Sequence, residues 1–328
     1  MMKSKLILLL VAAMPFAVQS QLPATENAVS KEMDFISDTQ QPMLVEKIIL
    51  KPTHNKKATS LLFSQIKSAK PQSVYMLGDV VSLGFNNRKW KRVDAFLDSC
   101  RSGKTTVCGL LGNHDVMGRL KKGERNFDKR FPDNVRTGYV SVTDSVAVIL
   151  LNSNFKKLSG TDNQKQINWY KAELNKLDTS EAIKAIIVTC HHAPYTNSII
   201  VGSNTSVQQN FVPAFISSKK AKLFITGHAH DFEHFKVQGK DFLVIGGGGG
   251  LHQPLSNSAD KLADLASEYK PLFHYLSVKR TGDDLSVTSH FLSNDFKGFG
   301  TGHSFITNQP EFTATKSDSN KNNNQPTF

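Results

Sequence analysis

The sequence predicts a layered α/β fold, and three observations point there. Short apolar runs of strand character alternate with amphipathic stretches. Most of those runs are apolar at every position, not at alternate ones, as strands covered on both faces should be. Two further segments read as hairpins, which adds antiparallel strands to a mainly parallel sheet.

In chain order, Met33–Ile36 is the first strand-like run, followed by a helix over 58–69 and a second run over 74–77. A helix over 90–100 then leads to the run 107–111. Residues 138–152 read as a hairpin turning at Asp144-Ser145, with 146–151 as its buried arm. The helix over 164–177 follows from Ile167, Tyr170, Leu174 and Leu177, which recur at three and four residues. Runs over 183–189, 223–226 and 242–245 are the next strands. Residues 275–279 and 285–291 flank a Gly282-Asp283-Asp284 turn and form the second hairpin.

Composition bounds what such a chain can be. With 39% hydrophobic and 21% charged residues it is neither wholly disordered nor a polytopic membrane protein. A domain of about 300 residues buries roughly three quarters of its unfolded surface, so it needs no disulfide or metal staple. Of the three cysteines, Cys100 and Cys108 bracket a polar turn and are spaced to pair in an oxidising compartment. The alternative is that they act as small buried hydrophobes, the reading that fits Cys190.

Residues 1–20 have the form of an export signal. Lys3 and Lys5 precede an apolar run over 6–18, and Val18-Gln19-Ser20 suits a signal peptidase cutting before Gln21. That run reaches only about 20 Å as a helix, short of a roughly 30 Å hydrocarbon core. The expectation is a periplasmic or secreted protein with no stable membrane span after cleavage. Residues 21–32 then form a linker, 33–293 the folded domain, and 294–328 a Gly-, Asn-, Ser- and Lys-rich tail expected to be disordered.

Removing Lys3 and Lys5 takes the net charge from +12 to +10. The remaining lysines are scattered with no interleaved aromatic stripe, so no specific nucleic-acid partner is expected. The charge suits capture of small anionic substrates.

The chemistry lies at five strand ends. After Phe35-Ile36 come Ser37-Asp38-Thr39-Gln40, and after Met76-Leu77 come Gly78-Asp79. Leu110-Leu111 lead into Gly112-Asn113-His114-Asp115, Cys190 into His191-His192-Ala193-Pro194, and Thr226 into Gly227-His228-Ala229-His230. Open α/β sheets bind ligands at the carboxyl ends of their strands, so these edges can converge on one pocket. They hold five of the 11 histidines, too many for five unrelated buried caps.

In this order, Asp-x-Gln, Gly-Asp, Gly-Asn-His-Asp, His-x-Pro and Gly-His-x-His resemble the motifs of the calcineurin-like metallophosphoesterases. The resemblance spans about residues 34–291. It implies a β-sandwich flanked by helices, with a binuclear metal centre at the carboxyl ends of the strands. Asp38, Gln40, Asp79 and His230 would hold one ion, and Asp79, Asn113, His192 and His228 the other. A bridging carboxylate offsets repulsion between ions about 3.5–4 Å apart. The mixed N/O donor set suits two divalent or trivalent transition-metal ions, Mn, Fe or Zn. His114 would stabilise and protonate the reacting ester, Asp115 would orient it, and Asn113, His114 and His191 would contact substrate.

Several points stay open at this stage. Neighbouring strand residues face opposite ways, so one of His191 and His192 ligates; the His-x-Pro spacing favours His192. The glycine run 246–250 either cradles phosphate or packs closely under the metal loops, the second being favoured. Tyr195 is either a substrate contact or an ordinary loop aromatic. Many relatives have His at the position of Gln40, which implies weaker binding or a harder ion at the first site. Ser82, three residues after Asp79, stands where purple acid phosphatases have Tyr, so a colourless protein is expected.

The activity implied is metal-dependent hydrolysis of a phosphoester of a small metabolite. The alternatives are a nuclease and a catalytically silent metal- or phosphate-binding protein. The segments 41–57, 82–89 and 196–210, where specificity would reside, hold no readable motif. Neither the substrate nor the oligomeric state is legible.

Overall fold

The computed structural model describes residues 31–308. The first half runs β1 (Met33–Ile36), α1 (Glu46–Ile49), α2 (Asn55–Ala69), β2 (Ser73–Met76), α3 (Asn87–Ser102), β3 (Thr106–Gly109) and α4 (Leu120–Asp128). Next come β4 (Tyr139–Thr143), β5 (Val146–Leu150), α5 (Gly160–Thr179), β6 (Ala185–Thr189), α6 (Thr205–Asn210) and α7 (Val212–Ser217). The last part is all strand: β7 (Ala221–Thr226), β8 (Phe232–Val237), β9 (Lys240–Ile245), β10 (His274–Thr281), β11 (Asp284–Leu292) and β12 (Phe299–Ile306).

These strands form two six-stranded sheets, ordered β12-β11-β10-β1-β2-β3 and β4-β5-β6-β7-β9-β8. In the first, β1, β2 and β3 are parallel and the β10–β12 meander is antiparallel. In the second, β5, β6, β7 and β9 are parallel, with β4 and β8 antiparallel at the edges. Burial follows the two-residue period of a strand. Phe35, Tyr75 and Leu276 of one sheet meet Val148, Ile187, Leu223 and Leu243 of the other in the central core. The alternate residues Ile36, Val74 and Met76 face outward against Leu62 and Ile66 of α2 and Trp90 and Val93 of α3. Likewise Ile186, Val188 and Phe224 pack against Tyr170 of α5 and Phe215 of α7. The order of layers is therefore helix, sheet, sheet, helix, and both sheets are covered on both faces, as their continuous apolar runs required.

The first hairpin turns at Asp144 and Ser145, both at positive φ (46° and 61°), the backbone of a two-residue turn matched to strand twist. The second turns at Gly282 (φ 64°) and Asp283.

One boundary is corrected. The low-complexity tail was expected from residue 294, yet residues 299–306 form β12, paired with β11 along its length. Its glycines read as tail composition, but two of them lie under aromatic rings. A Cβ on Gly302 would fall 2.0 Å from the Tyr269 ring, and one on Gly300 2.7 Å from Phe291. The rings supply the packing that the glycines lack. The expected signal peptide, most of the expected 21–32 linker and residues 309–328 lie outside the described residues. Cys100, Cys108 and Cys190 are all buried free thiols, so the Cys100–Cys108 pairing allowed by spacing is not formed. Among the described residues no helix is long and apolar enough to cross a membrane.

Candidate metal centre

The parallel strands of both sheets end at one edge of the sandwich, and their first loop residues meet there. Asp38 follows β1, Asp79 follows β2, and Asn113 and His114 follow β3; His191 follows β6, while His228 and His230 follow β7. Backbone bonds stitch the loops together: Asp38 N donates to Gly78 O, Gln40 N to Asp79 O, and Gly227 N to His191 O. The motif glycines permit this closeness. A Cβ on Gly112 would sit 2.1 Å from Asp79 Oδ1, and one on Gly227 2.3 Å from Asp38 Oδ2. Asp38, Asp79 and His228 themselves hold positive φ (59°, 48° and 69°), a conformation costly for non-glycine residues and characteristic of functional sites.

The two carboxylates are held alike. Asp79 Oδ1 accepts from His114 N at 2.7 Å, and its Oδ2 lies 3.4 Å from His191 Nε2. Asp38 Oδ2 accepts from His228 N at 2.9 Å, and its Oδ1 lies 3.4 Å from His230 Nε2. Each is anchored through one oxygen to the opposing loop and turns the other toward an imidazole. Those imidazoles are held by carbonyls behind them: His191 Nδ1 pairs with Leu77 O at 3.0 Å, and His230 Nδ1 with Leu251 O at 2.8 Å. An Nδ1–H donated backward leaves Nε2 facing the carboxylates, the ring orientation of a metal-ligating histidine.

Gln40 fits the same cluster. Its amide is satisfied with the nitrogen donating to Asp38 O and Asp79 O (3.0 and 2.8 Å) and the oxygen 3.3 Å from His230 Nε2. That orientation turns a neutral oxygen toward the point faced by His230 and Asp38. Asn113 Oδ1 lies 3.1 Å from His191 Nε2.

Two expectations are corrected. His192 was favoured as the ligand after β6, but the group whose donor atoms all lie within 4.8 Å of one another is Asp79, His191 and His228. His192 lies beside it, its ring 4.4 Å from that of His228, and its Nδ1 pairs with Ser153 Oγ at 2.8 Å. Alternation along the chain sends one of two adjacent imidazoles inward, and here it is the fully buried His191. Asp115 was expected to orient His114. Its carboxylate instead accepts from Gly112 N (2.9 Å), Val81 N (3.2 Å) and Val80 N (3.4 Å), bracing two metal loops, while His114 Nδ1 meets Ser82 O at 3.3 Å.

The open question on the glycine run is answered by its amides. Gly248 N donates to Ser37 O and Gly250 N to Asp38 O, so the run packs under the first metal loop. Tyr195 is set edge-on against Phe242 at 5.0 Å. One neighbour of the site had no sequence signal: Glu46 of α1 places Oε1 3.7 Å from His114 Nε2. It comes from the motif-free segment 41–57.

Burial and neighbouring charges set the protonation of the metal-free cluster. Burial would raise Asp79, but the charges of His191, His114 and His228 outweigh it and hold the carboxyl below its usual range. Burial would lower His191, but the Asp79 carboxylate raises it to about 9. Burial, reinforced by His191, takes His192 down to about 3, and burial with His192 holds His228 well below its usual value. Burial and the Asp79 charge push Asp115 up to about 7.

These donors fit metal ions. Asp38 is fully buried and its Oδ1 has no hydrogen-bond partner. A buried carboxylate oxygen left unpaired is costly unless a cation completes it. Carboxylate, amide and imidazole donors together suit borderline and hard ions.

The family profile described as calcineurin-like phosphoesterase matches residues 33–232, which contain every residue of this cluster. Solved structures show the same fold. A purple acid phosphatase from yellow lupin (Lupinus luteus) seeds superposes with a TM-score of 0.64 at 13% identity, covering 84% of this chain and 53% of its own. The present chain thus spans about half of the lupin enzyme. GAP50, the anchor in the inner membrane complex of Plasmodium, gives 0.61 at 15% identity, covering 85% and 89% of the two chains. A dimetal phosphatase from Danio rerio gives 0.54 at 14% identity, covering 85% and 98%. No curated protein sequence matches the chain.

Proposed function

The chain belongs to the calcineurin-like phosphoesterase family, and on that premise we propose that it hydrolyses the phosphoester of a small phosphorylated molecule at a two-metal centre. Asp38, Gln40, Asp79 and His230 would hold one ion, and Asp79, Asn113, His191 and His228 the other. Bound metal ions supply an acidified water as nucleophile and positive charge for the phosphoryl oxygens. The observation that supports this most is the buried Asp38 Oδ1, which accepts no hydrogen bond and faces His230 Nε2 at 3.4 Å, within a cluster whose other carboxylate already bridges His114 and His191.

The chain's own residues do the rest. Leu77 O and Leu251 O fix the rings of His191 and His230 so that Nε2 faces inward. Asp115 locks the loops after β2 and β3 at one separation. His114 is held by its own backbone N–H on Asp79 and by Ser82 O behind its ring. Its Nε2 therefore faces the cluster, placed to carry a proton to the leaving oxygen and to steady charge on the phosphoryl group.

The test is turnover by the purified, Mn²⁺-loaded protein on a chromogenic phosphodiester and its monoester, side by side. Hydrolysis of either, abolished in Asp79→Asn together with metal binding, is the expected result. Metal retained with no turnover of any phosphoester would leave a binding protein instead.

A further inference from the structure

Beside the metal centre, the segment after Gln40 forms an open cavity of about 710 Å³ whose lining includes Gln41, Lys47, His54, Asn55, Lys56 and Lys57. Among the described residues no carboxylate lines it. Among the described residues, none of the three lysines is held in an ion pair, and Lys57 lies over the Phe296 ring at 5.3 Å. The cavity also receives the start of α2, whose first turn has no acidic residue and whose N-cap, His54, makes no side-chain cap bond. A helix start adds partial positive charge to that of the lysines.

This cavity is joined rigidly to the metal loops. Asn55 Nδ2 donates to Gly249 O and Gly250 O (3.0 and 2.8 Å), and Gly250 lies against His230, where a Cβ would be 2.4 Å from the ring. Arg92 bridges the two sites, donating through Nη1 to Lys56 O (3.1 Å) and through Nη2 to Thr39 O (3.2 Å), between Asp38 and Gln40. On α1, Lys47 lines the cavity while the adjacent Glu46 reaches His114.

We propose that this cavity is a second anion site, taking a second phosphoryl group on the substrate while the metal centre holds the scissile one. The inference rests on the proposed hydrolase reading and narrows its substrates to esters with two phosphoryl groups. Lysine donors around an open pocket recognise a phosphoryl dianion as point charges, without the fixed fork of arginine.

Binding and turnover test it separately. Metal-free wild-type protein is titrated calorimetrically with inorganic phosphate beside three variants: Lys47→Gln/Lys56→Gln/Lys57→Gln, Asp79→Asn, and a charge-matched control, Lys121→Gln/Lys122→Gln/Lys165→Gln. Affinity lower by tenfold or more in the cavity variant alone is expected. A change of affinity in either direction in Asp79→Asn alone would place the anion at the metal centre, and equal loss in the control would reduce the effect to diffuse charge; either overturns the proposal, as does unchanged binding in the cavity variant. In the metal-loaded enzyme, kcat/KM for an ester with a second phosphate, relative to a plain phosphate ester, should fall about tenfold in the cavity variant. An unchanged ratio would also overturn the second site. Failure of every protein to hydrolyse any ester would remove the activity, and phosphate binding would still decide the cavity.

Discussion

Asp79 and His114 sit within hydrogen-bonding reach of each other and do different work. Asp79 shares its oxygens among both halves of the cluster, whereas the His114 ring meets Asp79 at 3.8 Å, Glu46 at 3.7 Å and Ser82 O behind. His114→Ala should therefore keep its metals by elemental analysis and lose a hundredfold or more in kcat, about 2.7 kcal/mol of barrier. Equal metal loss in His114→Ala would refute that division. Protonation gives a second prediction. His191, raised to about 9 by Asp79, is protonated at pH 7 in the metal-free protein, while His228 is neutral. A metal must displace the His191 proton, so affinity should rise with pH up to about 9 and level off above it. Calorimetry at pH 7 in buffers of different ionisation enthalpy should record release of about one proton. An affinity flat between pH 7 and 9 would show that metal binding displaces no proton from His191. The metal-competent residue types were legible in the sequence because motifs fix type and spacing. The choice between His191 and His192 was not, because it depends on which ring the β6 edge turns inward, and Glu46 was not, because its approach to His114 depends on the path of an irregular segment.

The strands were legible wherever both faces are buried, since β5 and β6 leave no exposed position to break the apolar run. Edge elements were harder to read. In β8 the sequence Phe-Glu-His-Phe-Lys-Val looks polar, yet Glu233 and His234 are buried. Glu233 accepts from Asn197 N at 2.8 Å, and His234 Nε2 pairs with Asp241 at 3.1 Å. Those partners come from a distant loop and the neighbouring strand, which local pattern does not see. In β12 the misleading residues are glycines, whose packing comes from Tyr269 and Phe291. Gly302→Val should drive a side chain into the Tyr269 ring and destabilise the fold by about 1–3 kcal/mol, read as a lower urea midpoint with unchanged slope. A neutral Gly302→Val would mean that the ring moves freely and β12 contributes little to the sheet.

The proposed metal centre would draw its ligands from both sheets: Asp38, Gln40, Asp79 and Asn113 from the loops of one, His191, His228 and His230 from those of the other. Apolar packing already joins the sheets across the central core. Metal ions would add a polar clamp at one edge, and anything bound only by the folded state adds its binding free energy to stability. At a metal concentration about 100 times the dissociation constant that is about 2.7 kcal/mol per site. For a domain of this size it corresponds to a rise in melting temperature of roughly 5 °C. The gain should be uneven across the molecule. Amides of β1, β2, β3, β6 and β7, which end at the proposed ligands, should gain hydrogen-exchange protection, while those of the outer strands β12 and β4 should not. Asp79→Asn should abolish both the thermal shift and the protection pattern. A shift of equal size in Asp79→Asn would place the stabilising ion elsewhere. Protection spread evenly to β12 and β4 would mean that the fold opens only as a unit, with no local clamp at the ligand edge.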